Sequence, residues 1–103
     1  MDNEKNLHIT MYELAEFSQK NFVKKDLIQK EGFGTFMICL DQGQEIPPHS
    51  EPHGGIFLVL EGKGVITSKE SRYDVGPGHL VSVEANGIRG IQCIERMIIL
   101  VIK

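Results

Sequence analysis

The sequence predicts an all-β domain whose strands close into a jelly roll or a barrel. Isoleucine and valine, which favour strands, are concentrated after Phe36. Glycines and prolines divide the second half of the chain into short apolar runs of the kind that pair as strands. Many short strands in one small chain must wrap around a shared core, because they cannot leave both faces of a sheet in water.

The composition limits the chain to a single domain. It has 103 residues, is 41% hydrophobic and 24% charged, and carries a net charge of −3 with histidine neutral. Abundant apolar residues exclude an intrinsically disordered chain, and the acidic balance argues against a nucleic-acid partner. No apolar run approaches a membrane span, so no membrane partner is expected. No signal peptide is visible and Cys39 and Cys93 are far apart, which predicts a cytoplasmic protein with free, buried thiols.

Residues 1–20 are predicted to form an N-terminal arm with one short helix. Thr10 followed three positions later by Glu13 has the form of a capping box, and apolar residues then recur at helical spacing. We therefore expect a helix over 11–18. The barrel domain is expected to occupy 21–103.

Eight strands are predicted along the barrel domain from the apolar runs and the turn residues between them. Pro77-Gly78 suits a type II turn, and Asn86-Gly87 suits a tight turn that needs a positive φ. The predicted strands span 22–30, 34–41, 56–60, 63–69, 71–75, 79–83, 88–94 and 96–102.

The sequence places His49, Glu51 and His53 at alternate positions. In an extended chain these three side chains share a face, and neighbours on that face are about 6.6 Å apart along the strand. His49 and Glu51 could therefore reach one ion, whereas His53 lies about 13 Å from His49 unless the chain bends. A polar loop that only binds backbone and water is the competing interpretation.

Two segments resemble the sequence motifs of the cupin family. The first begins at Gly43, continues through His49 after five intervening residues and ends in the run 56–64; the second spans 75–83. The resemblance implies a small jelly-roll barrel, usually dimeric, which here would follow the short N-terminal helix predicted from residues 10–17. It also implies one divalent transition-metal ion held by three histidines and a glutamate.

The resemblance fails at the metal ligands, of which only His49 is kept. Glu51 stands where the family has its second histidine, Gly55 where it has glutamate, and Arg89 where it has the third histidine. Arginine offers no lone pair and its charge repels a cation. We expect Arg89 either to form an ion pair with Glu51 or to bind an anionic ligand.

Three functions are compatible with these residues. The first is a binding module that holds a small anionic molecule and has largely lost the metal site. The second is a metal-dependent enzyme, a dioxygenase or isomerase, in which His49, Glu51 and His53 hold a divalent transition metal. The third is a metal-free acid–base catalyst with His49 as the base. The residues expected to contact the ligand of the first function are His49, Glu51, Arg89, Met37 and Phe57.

A homodimer is also predicted. In the run 97–102 the odd-numbered and the even-numbered residues are all apolar, which indicates burial on both faces of that strand. A barrel wall buries only one face, so we expect a second copy of the chain to cover the other. The expected interface is this run or the strand 22–30.

Overall fold

The structure, a computed structural model, describes residues 7–103; residues 1–6 of the predicted arm lie outside the described residues. No helix within the described part is long and apolar enough to cross a membrane. The elements are α1 (Met11–Leu14), β1 (Val23–Lys30), β2 (Phe33–Leu40), β3 (Glu45–Ser50), β4 (Gly55–Ser68), β5 (Ser71–Val75), β6 (Leu80–Val83) and β7 (Ile88–Ile102).

Strands β4 and β7 pair along most of their length and run through both layers of a jelly-roll barrel. In one layer, 97–102 of β7 pair with β2, which pairs with β1, while 55–58 of β4 pair with β6. In the other layer, 88–92 of β7 pair with β3, while 64–68 of β4 pair with β5. All these pairings are antiparallel, and the all-β prediction is confirmed.

β4 and β7 are each one long strand, although the sequence predicts two strands in each region. The ladder between them shifts register three times between Val59 and Gly64 instead of ending. At this corner Gly62 has a φ of 89°, and a Cβ there would overlap the carbonyl oxygen of Arg96. The glycine that suggested a turn therefore marks a bulge, which bends the strand while pairing continues.

β3 is missing from the predicted strands. Its sequence contains Pro47 and Pro48, which read as turn residues because proline cannot donate to a ladder. Within residues 7–103 β3 pairs only with β7, and its register shifts between Ile46 and His49, across the two prolines. The prolines are tolerated because β3 is an edge strand.

The N-terminal helix is shorter than predicted, since α1 ends at Leu14 and Ala15 is already extended. The capping box does not form: Thr10 makes no side-chain cap, and only its carbonyl accepts a bond from the Glu13 amide, at 3.0 Å. The segment leaves the helical path because it lies along the outside of the barrel. There Phe17 packs against the sheet.

Alternate residues of β2 and β7 belong to two separate apolar clusters. Phe36, Ile38 and Leu40 point into the barrel with Ile99 of β7. Their neighbours Met37, Cys39 and Ile98 point outward and are covered by Met11, Leu14, Ala15, Phe17 and residues of β1. The two-sided burial of the run 97–102 is therefore partly explained within one chain.

The two cysteines are buried and free, as predicted. Burial raises the pKa of both thiols, and it is the largest influence on each. The type II turn is also present: Gly78 has a φ of 87°, and the His79 amide donates to the Gly76 carbonyl at 3.0 Å. In the second predicted turn the positive φ falls on Asn86, at 63°.

Candidate functional site

His49 and Glu51 lie together at the end of β3. His49 Nε2 is 3.0 Å from Glu51 Oε2, and His49 Nδ1 is 2.9 Å from the Pro47 carbonyl oxygen. The strand alternation predicts this contact, because residues two apart share a face. Both ring nitrogens lie within hydrogen-bond distance of an oxygen, so the imidazole is held from both sides. The pair therefore fixes the orientation of the His49 ring at the end of β3.

Arg89 is buried, with 8% of its surface exposed, and it binds backbone oxygens instead of a carboxylate. Its Nε donates to the backbone carbonyl oxygen of Gly87 at 3.1 Å. Nη1 donates to the carbonyl oxygen of His53 at 2.9 Å, and Nη2 to that of Glu84 at 3.1 Å. A buried charge needs such partners, and three carbonyl dipoles supply them here. Arg89 thus ties the β6–β7 turn to the β3–β4 loop.

The expected ion pair between Arg89 and Glu51 is absent from the described residues, where Glu51 pairs with His49. The physical reason is that the guanidinium meets backbone oxygens of two neighbouring turns, which occupy its three nitrogens. The same loops are also joined directly, since the Asn86 amide donates to the Glu51 carbonyl oxygen at 2.7 Å. Arg89 consequently shapes the mouth of the barrel.

A cavity of about 240 Å³ opens inside the barrel above these residues. Its wall includes His49, Glu51, His53 and Arg89, so the structure brings the four predicted polar residues to one cavity. Most of the remaining wall is apolar; it includes Phe22, Phe36, Ile38, Phe57, Ile66 and Ile91. Such a cavity, apolar with a few converging polar groups, is the usual form of a small-molecule site.

Of the two apolar residues predicted to contact a ligand, Phe57 lines the cavity and Met37 does not. Met37 is fully buried in the outer cluster beneath the N-terminal arm. The prediction for Met37 is wrong because β2 is apolar at both parities, so its sequence does not reveal which residues face inward.

The wall also contains residues that the sequence did not single out, and those used below are Lys24, Phe36 and Lys103. The sequence offers only a weak signal for Lys24, which lies two residues after Phe22 and so shares its face in an extended chain. Its place on the cavity wall follows from the pairing of β1 with β2, which sets Lys24 opposite the inward-facing Ile38.

The donors present do not fit the four-ligand metal site that the family resemblance implies. Only His49 and Glu51 come together, and residues 7–103 contain no group of three or more histidine, cysteine, aspartate or glutamate side chains that could hold a metal. His53 contributes its carbonyl oxygen to Arg89, whose charge faces the same cavity. Gly55 lines the cavity without any donor.

Solved structures share this architecture. A protein of unknown function from Streptococcus pyogenes is 24% identical, with a TM-score of 0.79 over 99% of this chain and 88% of its own. A cupin superfamily protein from Desulfitobacterium hafniense is 21% identical, with a TM-score of 0.82 over 100% and 93%. A protein from Thermus thermophilus is 20% identical, with a TM-score of 0.85 over 92% and 93%. These likenesses show the fold alone.

No curated protein matches the sequence. The cupin domain family, by contrast, matches residues 36–103, which include β3, the cavity wall on β4 and all of β7. The matched segment spans more than half of the chain and contains His49, Phe57 and Arg89. The chain therefore belongs to the cupin domain family.

Proposed function

We propose that this cupin barrel is a binding module that holds a small anionic molecule in its interior cavity. The observation that carries the proposal is the cavity itself, of about 240 Å³, with an apolar wall and polar side chains at one end. Pockets for drug-sized ligands usually measure roughly 300–1,000 Å³, so the occupant is small.

The charge of the wall supports an anion. Lys24, Lys103 and Arg89 bring three positive charges to the cavity, and Glu51 is the acidic side chain among the wall residues that the structure describes. Because Glu51 is already hydrogen-bonded to His49, the local field favours a negative ligand. Arg89 contributes its charge, although its nitrogens are bound to backbone oxygens.

Binding of benzoate measured by isothermal titration calorimetry tests the proposal. The blocking variant is Gly55→Leu, because a Cβ at Gly55 meets only ordinary contacts, the nearest being 3.5 Å from the Ile102 carbonyl oxygen. The added side chain would therefore occupy the cavity without displacing the backbone. The control is Gly76→Leu, since Gly76 lies outside this wall and its Cβ would have one neighbour, at 3.9 Å.

We expect saturable binding of benzoate to the unmodified chain and to Gly76→Leu, and loss of binding in Gly55→Leu. Equal binding to all three proteins would place benzoate outside the cavity and contradict the proposal. Absence of binding to the unmodified chain, for benzoate and for other small carboxylates, would also contradict it.

We further propose that the chain forms a homodimer through the outer face of the layer that contains β6. Leu58 is paired in register with Leu80 and Leu100, and Ile56 with Ile102, so five apolar side chains are contiguous there. Leu80 is 58% exposed and Ile56 is 37% exposed. A contiguous apolar patch on a sheet face is typical of a subunit interface.

Light scattering after size exclusion tests the dimer. We expect the unmodified chain to have the mass of two copies and Leu80→Glu to have the mass of one. Ile94→Glu is the matched control, because Ile94 is similarly exposed at 53% but lies outside this patch. A monomeric unmodified chain would reject the dimer.

A further inference from the structure

Two lysines of the cavity wall contact the same aromatic ring. Lys24 Nζ lies 4.3 Å from the centre of the Phe36 ring, and Lys103 Nζ lies 5.1 Å from it. An ammonium group over an aromatic face is attracted by the ring quadrupole, so Phe36 restrains both side chains. The two positive charges are thereby held near one another on one part of the wall.

The backbone also fixes both lysines in place. Lys24 is paired in register with Ile38 of β2, a residue that points into the barrel. The amide and carbonyl of Lys103 exchange hydrogen bonds with Gly34, at 2.9 and 2.7 Å. Lys103 has the same parity as the inward-facing Val101, so its side chain is directed to the cavity.

Neither lysine is neutralised by an acidic side chain in residues 7–103. The ion pairs there join Lys25 with Glu16, His49 with Glu51, and Arg96 with Asp41. Both lysines are exposed, and both lie beside the same ring. An anion that binds beside Phe36 is therefore attracted by two positive charges.

The wall residues beside Lys24 and Lys103 indicate what the uncharged part of the ligand is. Phe36, Phe57 and Val101 lie next to one another in register and supply an apolar wall beside the ammonium groups. A ligand that contacts both the ammonium groups and the apolar wall has one anionic group attached to a hydrocarbon body. Three of the five N–H groups of Arg89 are already bound to carbonyl oxygens, so the two ammonium groups are the freer anion-binding groups of the wall.

We infer that Lys24 and Lys103 are the receptor for a carboxylate, and that the ligand is a small monocarboxylic acid with an aromatic or branched hydrocarbon body. This inference rests on the proposed function, because it assigns the anion-binding end of the same cavity. It also places the anion on β1 and after β7, away from Arg89.

Calorimetry with benzoate and with its neutral analogue benzamide tests the assignment. The variants are Lys24→Gln, Lys103→Gln and the double substitution. Lys30→Gln is the control, because Lys30 lies on the same strand β1 but outside the cavity wall, and its replacement changes the net charge equally. Benzamide keeps the hydrocarbon body and lacks the charge, so its binding reports an intact cavity.

We expect the unmodified chain to prefer benzoate, and each lysine substitution to weaken benzoate binding about tenfold, as the loss of a charge-assisted hydrogen bond would. Benzamide binding should be unchanged in all variants, and Lys30→Gln should behave as the unmodified chain. Unchanged benzoate binding in the double variant would overturn the assignment while leaving the cavity function intact. Absence of binding by both compounds and by other small carboxylates would overturn the proposed function as well.

Discussion

Replacing Arg89 by methionine should destabilise the fold strongly. The guanidinium makes three hydrogen bonds of 2.9 to 3.1 Å to backbone carbonyls, and Arg89 is only 8% exposed. At about 1 kcal/mol for each of the three lost partners, reduced by the relief of a buried charge, the free energy of unfolding should fall by about 2–3 kcal/mol. For a domain of this size the melting temperature should fall by roughly 10–20 °C.

Urea denaturation followed by circular dichroism measures this loss, and Glu51→Gln is the informative comparison. If Arg89 is held by carbonyls, removing the Glu51 charge affects only the half-exposed contact with His49 and should cost less than about 1 kcal/mol. Hydrogen exchange at the Asn86 amide, bonded to the Glu51 carbonyl, should accelerate in Arg89→Met as the two loops separate.

Two results would refute this account of Arg89. One is a loss below about 1 kcal/mol in Arg89→Met, which would mean that the three carbonyl bonds contribute little. The other is an equal loss in Glu51→Gln, which would restore the ion pair between these residues that the sequence suggested. Arg89→Lys should recover part of the stability, since lysine keeps the charge but cannot reach three carbonyls at once.

Three further predictions concern acid stability, the N-terminal arm and metal content. Arg96 beside Asp41 lowers the pKa of that carboxyl, so the pair stabilises the fold above about pH 4, and this contribution is lost as the pH falls through the lowered value. Asp41→Asn should remove that part of the pH dependence in urea titrations. Phe17→Ala removes a ring that packs on the outer cluster and lies 4.2 Å from the Arg96 guanidinium. It should cost about 1–2 kcal/mol and accelerate labelling of Cys39 by a thiol reagent, and an unchanged labelling rate would contradict the cover assigned to the arm. Elemental analysis should find well under one transition-metal ion per chain, whereas one tightly held ion that is lost in His49→Ala would support the metal alternative.

Several features follow directly from the sequence because they depend on local geometry. The contact between His49 and Glu51 results from the two-residue repeat of an extended chain. The turn at Gly78 results from the positive φ that a type II turn demands after proline. The family motifs themselves lie within the segment that matches the cupin domain.

Other features depend on partners that are distant along the chain. The sequence of β2 does not reveal which alternate residues face inward, and this is set by the N-terminal arm that covers Met37. Arg89 binds backbone oxygens of residues as far away as His53, and backbone acceptors leave no trace in residue types. The role of Lys24 depends on the register of β1 against β2, which an alternating pattern alone does not fix.

The most direct test of a ligand site inside the barrel is a benzoate titration of the isotope-labelled chain followed by amide nuclear magnetic resonance. We expect saturable shifts concentrated at inward-facing residues of the cavity wall, including Phe36, Phe57 and Ile91, together with Lys24 and Lys103. Amides of the outer apolar cluster should stay unshifted. Shifts confined to the outer surface of the barrel, or no saturable shifts at all, would contradict it.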